Sequence, residues 1–473
     1  MPVFHRATRA LAVAVALAFA VGGATLLPPT ASATPSSSLR RYPYLTDLVL
    51  GHVTVNWATT TSISTGSVTY GKSGTESCTA HTVNATKTSI TVGSTAEYQW
   101  KALLNGLSRN AAYCFRVQGG GIDLLGTDAS PVFRTQLAAG STATFSFAVL
   151  GDWGDQESTS LNTDQANVLA RIASSGARFA VTTGDIAYPS GSQTNYGDLV
   201  QTGANVSTVF GPSYWAVPGD TVPFFNVLGN HGLNSTALTN WPEGHAASSS
   251  SGRYAMQTYC CTNGTQSASY PSAWYAFNAG KARFYILDAA WANSNVGTAD
   301  IYKNDYDNHW TTSSAEYQWL AQDLAAHPGG LKFAFFHFPL HSPNSTESSD
   351  TYLGGVGHLE GLLGDNGVDL IFNGHAHTYA RATPIGMPVN YVTGGGGAKL
   401  EPATVCGAPI AAALGWSYSS STHGSSCGSL TRPTSIDQVF HFLLVTVTGG
   451  SRVTVTPTDE QGRTFDVQSY NFG

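Results

Sequence analysis

An all-β sandwich followed by a larger α/β sandwich is the architecture this 473-residue chain predicts. Between Arg41 and about Thr135, short stretches alternate apolar and polar residues, as strands with one buried face do. Past Thr144 that alternation gives way to nearly continuous apolar runs with helix-like segments between some of them, the mark of strands covered on both faces. The length also exceeds what one compact domain usually holds, and no fixed-period repeat points to a solenoid.

The elements follow in order. Residues 1–33 combine Arg6 and Arg9, an apolar stretch from Ala10 to about Ala20, and Ala31-Ser32-Ala33, the layout of a secretory signal peptide cleaved after Ala33. A membrane anchor needs about 20 unbroken apolar residues, and Gly22, Gly23, Pro28 and Pro29 interrupt this one. No later segment is long and apolar enough to span a bilayer, so the expected location is extracellular. Charged residues make up 11% of the chain and hydrophobic ones 42%, a composition of many short strands and polar loops rather than of disorder. The formal charge is −7 and becomes more negative when a leader carrying two arginines is removed. Such a balance gives no electrostatic reason to hold nucleic acid or anionic lipid.

From Arg41 onward, Val53, Val55 and Trp57 in "HVTVNWAT" form one apolar face of a strand, and "TGSVTYG" and "AAYCFRVQG" read alike. Leu107 and Tyr113 in "LSRNAAY" have the spacing of a tyrosine corner, in which the phenol bonds nearby backbone. Gln136 to Thr144 reads as a linker between units at 41–136 and 142–473. Six cysteines in an exported chain are expected in disulfides. Cys78 with Cys114 and Cys406 with Cys427 each fall within one region, while adjacent Cys260 and Cys261 bond each other or separate partners. Six cysteines allow 15 pairings, and spacing alone selects none.

The second unit offers "FSFAVL", "ARFAVTT", "VPFFNVL", "LKFAFF" and "VDLIF" as strands. "TDQANVLARIASSG" and "SAEYQWLAQDLAAHPGG" read as helices, the latter with a Ser-x-x-Glu-like start and a Gly or Pro stop. The strand ends carry the chemistry: Gly151-Asp152-Trp153-Gly154, Gly184-Asp185-Ile186-Ala187-Tyr188, Gly229-Asn230-His231, His337 in "FFHFP", and Gly374-His375-Ala376-His377. Ligand sites in open sheets collect at the carboxyl ends of strands, so five turns converge on one crevice. A lone Gly-Asp is usually a turn and a lone His a surface or core residue. Five such turns in this order, each ending an apolar run, point to a metal site. Carboxylate and phenolate oxygens suit a hard cation, and imidazole and amide a borderline one.

The order GDWG, GDIAY, GNH, FFHFP, GHAH resembles the metallophosphoesterases, and the tyrosine of the second motif resembles the purple acid phosphatases in particular. "RYPYL" with the sandwich behind it looks like that family's fibronectin type III-like N-terminal domain, and "HFLLVTVTGGSRVTVTPTD" like its closing strands. The resemblance implies a four-layer α/β/β/α catalytic domain and two metal ions. One would be Fe(3+), held by Asp152, Asp185, Tyr188 and His377, with a visible charge-transfer colour. The other would be Zn(2+), Mn(2+) or Fe(2+), held by Asp185, Asn230, His337 and His375, with Asp185 bridging. It further implies hydrolysis of phosphomonoesters by hydroxide generated between two ions, with His231 contacting the phosphate and protonating the leaving oxygen.

The substrate side departs from the family. Ser190 stands where an aspartate is common, Gly232 where an acid often follows GNH, and Ala380 where a glutamate is common. A second substrate histidine usually lies nine or ten residues past the position of His337. Here His341, only four residues on, is the nearest candidate, with His358 a remoter one. A phosphodiesterase or nucleotidase on the same scaffold therefore stays open, as does a binding protein with an idle catalytic unit. The N-terminal sandwich is a spacer or overhangs the crevice. Phosphorylated small molecules are the expected substrates; no oligomeric state is legible.

Overall fold

The computed structural model describes residues 36–92, 94–154, 163–186, 188, 221–227, 229–231, 274–289, 312 and 315–472. The expected leader and Cys260 and Cys261 lie outside the described residues. The N-terminal strands are β1 (Leu39–Val49), β2 (His52–Thr59), β3 (Gly66–Lys72), β4 (His81–Asn84), β5 (Thr86–Val92), β6 (Thr95–Leu104), β7 (Ala112–Gly119), β8 (Ile122–Asp123) and β9 (Val132–Arg134). They form two sheets, β1-β2-β6-β5 and β4-β3-β7-β8, with β9 paired to β7. Trp57 and Trp100 stack at 6.1 Å within this sandwich, and the Trp100 indole N–H donates to Thr59 Oγ1 at 3.0 Å. Cys78 and Cys114 are bridged. The tyrosine corner forms, with the Ser108 N–H donating to the Tyr113 hydroxyl at 3.0 Å.

One expectation fails in this unit. The alternation of β2 predicts one buried face, yet Thr54 and Asn56 on its polar face are buried as well. Their side chains have somewhere to go: Thr54 Oγ1 donates to Asp47 Oδ2 at 2.5 Å and Asn56 Nδ2 donates to Thr46 Oγ1 at 3.1 Å. An inward polar residue is compatible with a covered face when its hydrogen bonds are made internally. Gln136–Thr144 is likewise no loose tether, because the Gly140 N–H donates to Gly280 O and the Lys281 N–H to Ser141 O.

The second unit opens with β10 (Phe145–Leu150), α1 (Thr163–Ser174), β11 (Ala180–Thr182) and β12 (Phe224–Phe225). β13 (Tyr275–Ala279), β14 (Ala282–Ile286), α2 (Ala315–Ala326), β15 (Lys332–Phe335), α3 (Leu359–Asp365) and β16 (Leu370–Asn373) follow. The chain closes with β17 (Tyr379–Ala382), β18 (Val389–Thr393), β19 (Ile410–Trp416), β20 (Gly424–Gly428), β21 (His441–Thr448), β22 (Arg452–Asp459) and β23 (Gln468–Asn471). One sheet runs β12-β11-β10-β21-β22-β23 and the other β13-β14-β15-β16-β18-β17-β19-β20. A second disulfide, Cys406–Cys427, ties the loop before β19 to β20. Among the described residues no helix is long and apolar enough to cross a membrane.

Phenylalanines glue the two sheets face to face. Phe147 on β10 meets Phe284 on β14 edge-on at 5.0 Å and Phe333 on β15 at 5.5 Å, and Phe179 meets Phe284 at 5.4 Å. Such pairs contribute roughly 0.5–1.5 kcal/mol each beyond their buried area. On the outside, α1 lies against the six-stranded sheet, where Arg171 Nε donates to Glu460 O. α2 lies against the eight-stranded one, where Arg283 grips Asp323 through two contacts of 2.7 Å. All five predicted runs contribute strands, but the runs at 177–183 and 222–228 pair over only three and two residues. Among the described strands β12 lies at the edge of its sheet, and the chain leaves it at once toward the site.

Asp47 supplies a test of the N-terminal polar core. Its backbone is left-handed (φ 59°), one carboxylate oxygen has no partner among the described residues, and burial holds its carboxyl up at about 7 despite the Thr54 bond and the Lys101 charge. Between about pH 4 and 7 the native state thus keeps a proton that the unfolded state has lost. Stability therefore falls as pH rises through that window, by up to about 1.4 kcal/mol per pH unit. Asp47→Asn, tolerated by this backbone, is expected to flatten that slope and to gain on the parent in melting temperature from pH 5 to pH 8. Identical pH profiles for the two proteins would remove the argument.

Candidate metal centre

β10, β11 and β12 run parallel in one sheet, and β14, β15, β16 and β18 in the other. Their carboxyl ends meet along one rim. Turns follow there within a few residues, and non-glycine positions take left-handed backbone: φ is 53° at Asp152, 48° at Asp185 and 68° at His375. This costs on the order of 1 kcal/mol each and swings each side chain toward the rim. The glycines beside them are packing requirements. A Cβ on Gly229 would lie 2.0 Å from Asp185 Oδ1, and one on Gly374 would lie 2.7 Å from Asp152 Oδ2.

All seven residues expected to ligate meet at this rim. The Tyr188 hydroxyl lies 3.1 Å from Asp152 Oδ1, 3.1 Å from Asp185 Oδ2 and 3.0 Å from His377 Nε2. Beside them, His337 Nε2 is 2.7 Å from Asn230 Oδ1 and 3.3 Å from Asp185 Oδ2, and His375 Nδ1 is 3.1 Å from the same amide oxygen. One ligand atom from each of Asp185, His337 and His375 falls within 4.8 Å of the others. Asp185 thus belongs to both groups. The backbone ties the loops to one another: the Asp152 N–H donates to Gly184 O, the Trp153 N–H to Asp185 O, and the His375 N–H to Asp152 Oδ2.

Each of the three imidazoles has one nitrogen committed outward. His337 Nδ1 faces Thr183 O at 2.8 Å, His377 Nδ1 faces Lys399 O at 2.7 Å, and His375 Nε2 faces Glu347 Oε2 at 2.8 Å. A carbonyl or carboxylate can only accept, so each outward nitrogen donates, and the other is aimed inward at the carboxylate, amide and phenol oxygens, where a cation would take the place of a proton. Metal-ligating histidines are held in this way.

Electrostatics fit the same donor set. Burial works against the Asp185 charge, but His337, His231 and His375 hold its carboxyl well below the ordinary range. Burial also opposes charge on His337 and His377, yet Asp185 and Asp152 hold them up at about 9. Burial first, then the Asp152 and Asp185 carboxylates, push the Tyr188 phenol well above its usual value. Protons thus occupy the positions that cations would relieve, and a cation here would displace them.

Three features of the site were not legible in advance. Glu347 lies ten residues past His337, where a second substrate histidine was sought, and instead fixes His375; the His375 bond holds its carboxyl below its usual value. Its loop is rigid, because Asn344 Oδ1 accepts the N–H groups of Thr346 and Glu347 while Asn344 Nδ2 donates to Pro402 O. Gly394–Gly397 forms a backing strip. The Gly396 N–H donates to Gly151 O and the Ala398 N–H to Asp152 O, and a Cβ on Gly396 would sit 2.5 Å from Gly151 O. Four consecutive glycines after the apolar "VNYVT" were the available signal. Glu401, third, accepts the His377 N–H at 3.3 Å.

The other candidates fall as follows. His231 donates its N–H to Asp185 Oδ1 at 2.8 Å, and its ring lies 4.6 Å from that of Tyr188. His341 pairs with Glu360 on α3 at 2.7 Å, and exposed His358 faces Tyr352 O. Ala380 is buried in β17, while Ser190 and Gly232 lie outside the described residues.

Residues 145–379 match the calcineurin-like phosphoesterase family, and residues 43–137 match the purple acid phosphatase N-terminal domain. The chain belongs to the purple acid phosphatase-like metallophosphoesterases. Within this family, purple acid phosphatase 15 of Arabidopsis thaliana is 28% identical over 193 residues. That match takes in 38% of this chain and only 31% of the relative's length. The structure of purple acid phosphatase PPD1 from yellow lupin (Lupinus luteus) seeds aligns with a TM-score of 0.59 at 17% identity, over 92% of this metallophosphoesterase and 74% of that chain. This second likeness is one of fold, and the family as a whole implies a binuclear metal centre.

Glu347→Gln keeps the shape of the side chain but removes the carboxylate that fixes His375. The variant is expected to keep its fold by circular dichroism and to bind metal roughly 10- to 100-fold more weakly in a chelator competition. Unchanged metal retention would mean that Glu347 does not orient His375.

Proposed function

We propose that this chain is a secreted phosphatase that hydrolyses phosphomonoesters of small molecules at a binuclear metal centre. The observation that carries the reading is the set of three outward-tethered imidazoles facing two carboxylates, a phenol and an amide. In this reading Asp152, Asp185, Tyr188 and His377 hold Fe(3+), and Asp185, Asn230, His337 and His375 hold Zn(2+), Mn(2+) or Fe(2+). When bound, two such ions supply a hydroxide nucleophile near neutral pH and neutralise the phosphoryl oxygens.

The chain's own residues do the rest. The Thr183 and Lys399 carbonyls and Glu347 keep the three imidazoles in register, so the donor set is formed before substrate arrives. His231, half-buried with its ring tilted against that of Tyr188, contacts a phosphoryl oxygen and delivers a proton to the leaving oxygen. His341 is committed to Glu360 and is given no part in the reaction. The export signal read at residues 1–33 and the two disulfides support secretion.

Glu347 favours a second reading on the same scaffold. A carboxylate fixed beside His375 repels the dianion of a phosphomonoester more than the monoanion of a diester. At a few ångströms and intermediate polarity this amounts to about 1–3 kcal/mol.

The discriminating measurement is the ratio of monoester to diester hydrolysis with matched chromogenic substrates, on protein purified without chelators. A ratio well above one is expected. A ratio well below one transfers the assignment to a phosphodiesterase, and no hydrolysis of either leaves a binding protein. The same preparation is expected to contain iron and to absorb visible light; colourless zinc or manganese protein overturns the iron assignment. His231→Ala is expected to lower turnover of a substrate with a poor leaving group by about 10²- to 10⁴-fold and to spare good leaving groups. Equal losses on both would strip His231 of the acid role.

A further inference from the structure

Away from the metal centre, a cleft of about 660 Å³ opens where the N-terminal sandwich meets the second unit. Its walls include Asn110 and Arg134 from the first and Thr144, Ser146, Arg178 and Thr221 from the second, and none of the described residues lining it is acidic. Arg178 is only 8% exposed. Its guanidinium donates to the Thr135 carbonyl and, at 2.7 Å, to Asn110 Oδ1. The same Asn110 oxygen accepts from Arg134 Nε at 3.1 Å, so one neutral amide is shared by two cations.

Buried charges are ordinarily paired with an opposite charge. Here buried Arg178 has no carboxylate partner among the described residues, nor has exposed Arg134 beside it, and Arg178 Nε is buried with no acceptor among them. Thr221, a residue of the same cleft that is 6% exposed, has a buried hydroxyl with no partner among the described residues. Burial and then the Arg134 charge pull Arg178 down to about 10. A net-negative protein has thus placed two guanidiniums together at a junction between units, the kind of place where ligand pockets form.

The geometry points to an oxyanion site in this cleft, in which Arg178, Arg134 and the Thr221 hydroxyl bind a phosphate or sulfate group. Guanidinium N–H groups match the oxygens of such a group, and the hydroxyl adds a neutral donor. Phe133, Phe145 and Val222 on the same walls leave room for an organic substituent on the anion. The site is independent of the metal centre and of the reaction assigned to it.

Calorimetric titration of the metal-loaded protein with inorganic phosphate tests this, with phenylphosphonate as a second probe. Arg134→Gln, on a short edge strand, and Thr221→Val are expected to weaken one phosphate-binding event by about 10-fold or more while leaving inhibition of ester hydrolysis by phosphate unchanged. Tighter binding of phenylphosphonate to that event identifies an organic oxyanion as the ligand, and tighter binding of phosphate identifies the free ion. If hydrolysis is absent, the lost binding event still reports the cleft. Phosphate binding that is the same in the parent and both variants, or a loss confined to inhibition at the metal centre, overturns the proposal.

Discussion

The site rests on how closely its loops approach one another at the rim where two sheets end. Gly229 lies against Asp185, Gly374 against Asp152, and Gly396 against Gly151, at distances where a single methyl would collide with a proposed ligand or with the backbone behind it. Because the loops hydrogen-bond to one another through main chain, they form one body. The left-handed turns at Asp152, Asp185 and His375 are tolerable only inside such a body, which holds them against their local preference. Behind the rim, the phenylalanine layer between the sheets sets the separation that lets β10 and β11 on one side and β15 and β16 on the other contribute to one cluster.

Electrostatics then follow from burial. Asp185, Tyr188, His337 and His377 are packed where water does not screen them, so the protonation of these four is set by their neighbours. Without a cation, imidazolium and carboxylate compensate one another. The outer acceptors do not take part in that compensation; they orient the rings. This separates residues that hold charge, such as Asp185, from residues that hold direction, such as Thr183, Lys399 and Glu347. Glu347 does both, since the carboxylate that orients His375 also adds a negative charge beside the place where substrate would sit.

The N-terminal sandwich is more than a tethered neighbour. Tyr44 stacks on Phe224 at 6.1 Å, and Gln136, in the segment expected to be a linker, is buried with its side chain on Leu48 O. The strand that carries Phe224 leads directly to Asn230. Contacts between the units therefore brace one wall of the metal centre, and the same junction leaves the two arginines facing a cleft.

Much was legible from local pattern. Apolar runs ending in Gly-Asp, Gly-Asn-His and Gly-His-Ala-His state that strands stop and polar groups follow, and the left-handed positions coincide with those motifs. Leu107 and Tyr113 announced their corner in the same way, because a tyrosine corner is closed within a few residues. The polar face of β2 was misread, since alternation reports the chemistry of a face and not what covers it; Asp47 and Thr46 satisfy Thr54 and Asn56 internally. His341 was chosen for its residue type. The side chain that meets the centre is Glu347, ten residues past His337, delivered by a turn that Asn344 locks.

The sequence by itself determined which strand ends carry the candidate ligands, because strand and turn preferences act over a few residues. It also determined the types of those candidate side chains, and so the chemistry they suit. Only the tertiary structure decided which nitrogen of each histidine faces inward, which carboxylate orients His375, and that Arg134 and Arg178 share one amide. Those contacts join residues as far apart as Asp152 and His375, and their distances depend on the packing of the sheets and of the two units.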